Sequence, residues 1–138
     1  MLTEIQRNAF IDGTGNYRYL LTRSWAPLLP RCCFVMFNPS TADGLVDDPT
    51  IRRCIGFAQR WGYGGLDVVN LFAWRCPFPA FVRLADEPVG PCNDLQLREA
   101  VTHKDTRLVV VAWGCGGGDF PERVNRFRAH LVAAGNFL

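Results

Sequence analysis

The sequence predicts an α/β protein, a three-layer sandwich with a mostly parallel central sheet of about four strands plus an N-terminal β-hairpin. Two observations predict this class. Apolar runs with the length of a strand alternate with segments whose apolar residues recur at helical spacing. Near the N-terminus, a cluster of turn-forming residues separates two further short apolar segments. Alternation of strands and helices favours parallel pairing, because each helix carries the chain back across the sheet.

Apolar runs and turn residues predict the strands. The turn sequence Asp12–Asn16 stands between Ala9–Ile11 and Tyr17–Leu21, which predicts a hairpin at one edge of the sheet. The run Cys32–Phe37 is apolar throughout, as expected for a central strand covered by helices on both sides. Further strands are predicted at Leu66–Leu71 and Arg107–Trp113, and Asn136–Leu138 has the pattern of the beginning of another.

Amphipathic segments predict the helices. Asp48 is placed as an N-cap, and apolar residues then recur at helical spacing as far as Gly62. A second helix is predicted over Asn93–His103. A third is predicted to begin at the capping box Asp119–Glu122 and to stop at Gly135.

Composition points to a single domain over residues 1–138. The chain is 49% hydrophobic and 20% charged, with a net charge of +2, which is typical of one packed domain. Glu4 and Arg7 stand where a signal peptide needs an apolar stretch, and no apolar run reaches the length of about 18 residues expected of a membrane span. We therefore expect a cytoplasmic protein with no membrane association. The small charge argues against binding of long duplex DNA.

Six cysteines raise the question of a metal site or of disulfides. They are spread along the chain, without a CxxC pair or a cysteine–histidine cluster at ligand spacing. We expect all six to be buried thiols of the core, and we predict neither a metal nor a cofactor.

The candidate site lies at the carboxyl ends of the strands, where open α/β sheets bind their ligands. Polar or aromatic side chains follow each apolar run, at Asn38–Asp43, Asn70–Arg75 and Trp113–Gly114. Asp47 is a carboxylate that can orient water near the first of these loops. The pair Arg52–Arg53 opens a predicted helix, where it can meet a phosphate.

Several of these residues also have a purely structural interpretation. The segment Asn38–Thr41 can close a turn on itself, and Asp48 can act only as a helix cap. Asn70 can be a buried structural amide, and Trp113 can cap the core. A serine nucleophile is disfavoured, because the chain has no GxSxG motif and both histidines lie in predicted helices.

Six segments together resemble the family known as domain of unknown function 1643. They are Arg18–Trp25, Met36–Asp43, Asp47–Cys54, Trp61–Gly65, Val69–Ala73 and Ala112–Gly114. The resemblance spans most of the chain, and its motifs are specific. It implies no particular activity, so the function is to be inferred from the residues themselves.

The chain is also similar, more distantly, to the uracil-DNA glycosylase superfamily. Asn38-Pro39 resembles the step that places the hydrolytic water, and Val69–Pro77 resembles a segment in which an asparagine reads the base edge. Val110–Gly114 resembles the third strand and its glycine. The resemblance implies a three-layer α/β fold with its site at the strand ends. It also implies a C-terminal His-Pro loop, which these 138 residues do not contain, so a domain truncated at its C-terminus is expected.

Residues and resemblance together give three groups of candidate site residues. Those expected to be catalytic are Asn38 and Asp47. Those expected to contact the substrate are Pro39, Ser40, Thr41, Asn70, Phe72, Trp113 and Gly114. Those expected to contact phosphate are Arg52, Arg53 and Arg75.

The sequence thus predicts a glycosylase-like protein that binds a nucleobase or nucleotide and whose reaction, if it is an enzyme, is hydrolysis of an N-glycosidic bond. The alternative is a non-catalytic module that binds a nucleotide, a nucleic acid or another partner. A third hypothesis is a phosphate sensor that uses the arginines and Gly116–Gly118. The expected partner is a nucleobase, a nucleotide or a short single-stranded nucleic acid.

Overall fold

A computed structural model describes residues 4–134 of the chain. These residues form five strands, three α-helices and two short 3₁₀ helices. In chain order they are β1 (Gln6–Ile11), β2 (Arg18–Ser24), β3 (Arg31–Met36), α1 (Pro49–Arg60), β4 (Gly65–Asn70), a 3₁₀ helix (Pro79–Leu84), α2 (Asn93–Thr102), β5 (Thr106–Ala112), a 3₁₀ helix (Gly114–Asp119) and α3 (Pro121–Ala134). The predicted α/β class and N-terminal hairpin are confirmed.

The strands of the described region form one mixed sheet in the order β1-β2-β4-β3-β5. Strand β3 pairs in parallel with both β4 and β5, whereas β2 is antiparallel to β1 and to β4. The expectation of about four mostly parallel strands beside a hairpin therefore needs correction. The hairpin is not a separate addition, because β2 pairs directly with β4 and so extends the sheet in the antiparallel direction.

The sheet has two buried faces, each covered by helices. Alternate residues of the central strands, such as Cys32 and Val68, pack with α1, and we call this the α1 face. Their neighbours, such as Cys33 and Val69, pack with α2 and α3 on the other side, the α2/α3 face. Strand β3 is buried on both faces because side chains alternate along a strand and helices cover both sides.

Local signals placed α1 and α2 accurately, whereas α3 begins at Pro121 and not at the predicted capping residue Asp119, which ends the 3₁₀ helix and pairs with Arg83. The Asp48 carboxylate caps α1 by accepting a hydrogen bond of 2.9 Å from the amide of Ile51. Helix α2 begins at the predicted residue, Asn93. Neither 3₁₀ helix was predicted, because such short turns carry no apolar period. The predicted stop at Gly135 and the predicted strand at 136–138 lie outside the described residues.

The cysteines do not all lie in the core. Cys32, Cys33 and Cys54 are buried, but Cys76 is only half-buried and Cys92 is exposed. The side chain of Cys115 lies outside the described part of the chain. The expectation of six buried thiols is therefore wrong for Cys76 and Cys92, which lie in the long irregular segment between β4 and α2 and at its junction with α2.

None of the helices of the described residues is both long and apolar enough to cross a membrane. Among the same residues, no group of three or more histidine, cysteine, aspartate or glutamate side chains is arranged to hold a metal ion.

Candidate functional site at the carboxyl edge of the sheet

The three parallel strands end side by side. Met36, near the end of β3, is in register with Asn70 of β4 and with Ala112 of β5. The loops that leave these strands therefore start from one edge of the sheet, as the sequence predicts. This carboxyl edge is where α/β sheets place ligands.

The sheet divides the predicted site residues between its two faces. Asn70 continues the α1-face series of Leu66 and Val68, because side chains two apart on a strand share a face. Phe72 and Trp113 instead pack in the cluster of the α2/α3 face. The structure therefore does not bring the Asn70 amide and the Trp113 indole into one cleft.

Asn70 is the most unusual polar residue of the described region. It is 1% exposed, yet neither Nδ2 nor Oδ1 of its side chain has a hydrogen-bond partner among the described residues. Its backbone carbonyl accepts a hydrogen bond of 2.9 Å from Nδ2 of Asn93. A buried amide without partners costs about 1–3 kcal/mol, so the side chain has no stabilising role that would explain its presence.

Arg18 reaches the same face from β2. It is 2% exposed, and its Nη1 donates a 3.1 Å hydrogen bond to the carbonyl of Ala42, a member of the α1-face cluster. Its Nε has no partner among the described residues. Burial lowers the pKa of Arg18 to about 10. The charge of Asp48 raises this pKa, and the charge of Arg75 lowers it further. The guanidinium stays charged at neutral pH and is incompletely neutralised.

The loop after β3 is held by the Asn38 amide. Nδ2 of Asn38 donates to the carbonyl of Cys76 at 2.8 Å and lies 3.4 Å from that of Trp74, which ties this loop to the one after β4. No described residue donates a hydrogen bond to Asn38 Oδ1. Pro39 is buried, Ser40 is half-buried and Thr41 is exposed, so the hydroxyls lie at the surface of this loop.

Asp47 lies between two arginines. Its Oδ1 accepts a 2.7 Å hydrogen bond from Nε of Arg23, and its Oδ2 accepts one of 2.9 Å from Nη2 of Arg7. Burial alone would raise the pKa of Asp47, but the hydrogen bonds and charges of Arg7 and Arg23 together lower it below its ordinary value. This carboxylate is a poor proton acceptor and chiefly anchors its loop to β1 and β2.

The three predicted phosphate contacts lie in different places. Arg52 and Arg53 are exposed on α1, and Nη1 of Arg52 is 3.3 Å from the carbonyl of Asp47. Arg75 contacts the hairpin turn instead, with its Nη1 3.2 Å from the carbonyl of Gly15. Its Nε is buried and has no partner among the described residues.

A cavity of about 590 Å³ opens on the α2/α3 face. Phe72 and Phe120 form part of its wall, with ring centroids 4.7 Å apart in an edge-to-face arrangement. Arg123 also lines it, and Nη1 of this arginine is 2.6 Å from Oδ1 of Asp94. Of the predicted site residues, only Phe72 contributes to this wall.

Trp113 packs in the core and Gly114 forms the turn that follows β5. The Trp113 ring packs edge-on against Phe127 at 5.8 Å, which fits the alternative interpretation of a core residue. Gly117 passes so close that a Cβ there would lie 2.4 Å from the Trp113 ring. Gly114 has a φ of 64°, a conformation that glycine adopts without strain.

The sequence reasoning missed Arg18 and Arg23, which are the buried cations of the α1 face. A signal was present, because the two arginines belong to β2 and flank its apolar residues Tyr19–Leu21. Lysine, glutamate, arginine and aspartate are almost never fully buried unless paired, so an arginine in a core strand indicates a specific partner.

The fold and the site define a class: an α/β protein with buried, incompletely hydrogen-bonded polar side chains beneath the carboxyl edge of its sheet. The comparison with known families gives the particular member of that class. Residues 18–137 match the family described as "Protein of unknown function (DUF1643)", and the chain belongs to this family. No curated protein and no solved structure gives a significant match.

Proposed function

We propose that the protein binds a nucleobase or nucleotide on the α1 face of the carboxyl edge. The observation that carries the proposal is the Asn70 side chain, which is buried at the end of β4 with both polar atoms unpaired among the described residues. A buried amide of this kind fits a ligand that supplies the missing donor and acceptor.

The chemistry of Asn70 and Arg18 selects the ligand class. A carboxamide presents one acceptor and two donors in one plane, and this pattern pairs with the donor–acceptor edge of a nucleobase. The Arg18 guanidinium supplies a planar donor fork of the kind that binds phosphate. An amide and a buried cation on one face therefore suit a ligand with a base at one end and an anion at the other.

Hydrolysis of an N-glycosidic bond is the catalytic form of this proposal. It is supported by the resemblance of Asn38-Pro39 and of the Asn70 segment to uracil-DNA glycosylases, and by the accepting oxygen of Asn38, which no described residue uses. Such a reaction needs a positioned water and donors that face the departing base. Asn38 is the residue we assign to the water, with Pro39, Ser40 and Thr41 shaping its loop.

Binding without catalysis is the second candidate. It is favoured by Asp47, whose carboxylate is engaged by Arg7 and Arg23 and whose pKa is lowered. A general base requires a free lone pair and a pKa near the working pH. With Asp47 engaged in this way, the residues named above suffice for ligand binding. Hydrolysis would need a general base from another residue.

Calorimetric titration with uracil, other free bases and nucleoside monophosphates tests the binding proposal. We expect Asn70→Leu to weaken binding of the preferred ligand by about 10- to 100-fold, the loss expected for one bidentate base contact. Asn125→Leu, an exposed asparagine on α3, is the control and should bind as the wild type does. Equal binding by wild type and Asn70→Leu would show the site assignment to be wrong.

A nucleoside and oligonucleotide hydrolysis assay separates the two candidates. Release of free base by the wild type, lost in Asn38→Ala while the ligand still binds, supports catalysis. Binding without any release of base supports the non-catalytic candidate.

A further inference from the structure

Helix α1 presents a basic outer surface, which we call the arginine face. Its inner side buries Ile51, Cys54, Ile55 and Ala58. Its outer side carries Arg52, Arg53, Gly56, Phe57 and Arg60, and these five residues together with Pro49 line a shallow hollow of about 450 Å³. The helix contains no acidic residue.

The charges of the arginine face are not neutralised. In the described part of the chain, no carboxylate lies within ion-pair distance of Arg52, Arg53 or Arg60. Arg52 and Arg53 also lie near the N-terminus of α1, where the helix dipole disfavours cations. Helix stability therefore gives no reason for these two arginines, which points to an anionic partner.

Exposed aromatic rings lie beside these arginines. Phe57 is 40% exposed and Trp61 is 47% exposed, and their ring centroids are 5.4 Å apart with the planes 24° from parallel. The Arg60 guanidinium lies 4.8 Å from the centre of the Phe57 ring. Trp61 also stacks on Phe34 of the core, at 6.2 Å, which fixes its position.

We infer that the arginine face binds the phosphate backbone of single-stranded nucleic acid, with bases contacting the exposed parts of the Phe57 and Trp61 rings. Arg52 and Arg60 are eight residues apart, or about 12 Å along a helix, which is long enough to contact more than one phosphate. Partly exposed aromatic rings and arginines in one surface are the combination that single-strand binding proteins use. Gly56 leaves the centre of the surface open, since a Cβ there would meet no atom within 4 Å.

This inference rests on the proposed function and names its substrate more closely. Helix α1 starts at the carboxyl edge of the sheet, because it follows the loop that leaves β3. A strand lying along α1 thus leads toward the face where Asn70 is buried. The preferred substrate becomes a base within a single strand rather than a free nucleotide.

Fluorescence anisotropy with a labelled oligothymidylate of about ten nucleotides tests the surface at several salt concentrations. Three phosphate contacts predict a slope of log affinity against log salt of about −2. We expect the triple variant Arg52→Gln, Arg53→Gln, Arg60→Gln to bind at least about tenfold more weakly at low salt, with a slope close to zero. An unchanged slope in this variant would overturn the inference.

A matched pair at Gly56 provides a second test that leaves the arginines in place. Gly56→Glu puts a carboxylate at the centre of the face, whereas Gly56→Gln adds a side chain of the same length without charge. We expect the glutamate variant to bind several-fold more weakly than the glutamine variant. Equal affinities of the two Gly56 variants for the oligothymidylate would count against a single-strand site. So would binding of poly-glutamate or of duplex DNA by the wild type that is as tight as its binding of the oligothymidylate.

The Asn70→Leu variant distinguishes failure of this surface from failure of the proposed function. An abasic strand of the same length should bind Asn70→Leu and wild type equally, because it offers phosphates but no base. If the arginine variants lose binding while Asn70→Leu changes nothing even with thymidylate, the surface is correct and the Asn70 site is not. If no strand binds the wild type, the inference fails, and the free-nucleotide titration still decides the proposed function.

Discussion

The two faces of the sheet bury polar groups in different ways. On the α1 face, the guanidinium of Arg23 is completely buried and Asn70 is left without partners among the described residues. On the α2/α3 face, aromatic and aliphatic side chains dominate, and the ion pair between Arg123 and Asp94 lies beside an open cavity. The same central strands therefore support two buried arginines on one side, and on the other a mainly apolar interior that also buries Asn93 and Arg123.

This difference separates two kinds of candidate site. The α1 face maintains buried donors and acceptors at an energetic cost, which is the arrangement expected where a polar ligand supplies the missing partners. The cavity of the α2/α3 face has aromatic walls, and Arg123 and Arg126 both pair with Asp94 there, although Nη2 of Arg123 has no hydrogen-bond partner among the described residues. Four experiments probe this contrast, beginning with the largest expected effect.

Removal of the buried arginine from each face should have unequal effects. Arg23 donates to Asp47 Oδ1 at 2.7 Å and to the Asp43 carbonyl at 2.6 Å, so Arg23→Met removes the donor of that carboxylate oxygen and of that carbonyl, while Arg7 still donates to Asp47 Oδ2. We expect it to lower the free energy of unfolding by about 3–5 kcal/mol. Arg123→Met should cost about 1–3 kcal/mol, because its partner Asp94 is partly exposed and can be rehydrated, and because the Leu71 carbonyl, to which Nε of Arg123 also donates, keeps its hydrogen bond from Asn93.

Urea unfolding of the two arginine variants measures this difference. Equal losses would mean that the two faces do not differ in how they bury charge. A larger loss for Arg123→Met would reverse the comparison.

Replacement of Asn70 should stabilise the protein while it weakens ligand binding. Leucine has a similar shape, and it removes two buried polar atoms that have no described partner. We expect Asn70→Leu to raise the free energy of unfolding by about 1–2 kcal/mol, measured by urea denaturation without ligand. A loss of stability would indicate that the amide has a structural partner. Asn93→Leu is the contrasting variant and should destabilise, since Nδ2 of Asn93 donates to the carbonyls of Asn70 and Leu71.

The low pKa of Asp47 predicts how stability depends on pH. Since its pKa is lower in the folded state than in the unfolded one, its contribution is complete above the unfolded value of about 3.9 and is lost as the pH falls through the folded value. Asp47→Asn should be the less stable protein near neutral pH but should lose less stability between about pH 5 and pH 2. Parallel pH profiles of the two proteins would exclude this role.

Thiol labelling compares the faces without any substitution. Cys32 lies on the α1 face and Cys33 on the α2/α3 face, and burial raises the pKa of both thiols, that of Cys32 to about 12. We expect iodoacetamide to label exposed Cys92 rapidly and both core thiols slowly. If Cys32 and Cys33 are exposed only when the whole protein unfolds, peptide mapping should find their labelling rates within about twofold of each other. Faster labelling of one would identify the face that opens first.

Local sequence signals predicted the elements but not their assembly. The Asp48 cap and the apolar positions of α1 act within a few residues, so the sequence places that helix accurately. The antiparallel pairing of β2 with β4 depends on contacts between Leu21 and Val68, which are far apart in the chain. A single sequence contains no local signal for that choice, and this is why the sheet was expected to be mostly parallel.

The candidate site was predictable in its location and not in its contacts. Strand ends placed Asn38 and Asn70 at the carboxyl edge, as expected. That Asn38 donates to Cys76, that Asp47 lies between two arginines, and that Trp113 packs on Phe127 depend on how distant loops and helices meet. The roles of Asn38 and Asn70 in ligand binding stay predictions for the experiments above.

The sequence by itself determined the α/β class, the hairpin and the positions of the helices, because apolar periodicity and end-capping are interactions between residues close in the chain. Only the tertiary structure decided which strands are neighbours and on which face of the sheet each polar side chain is buried. The physical reason is that burial and hydrogen-bond pairing depend on contacts between distant segments, whose geometry exists only after the chain has folded.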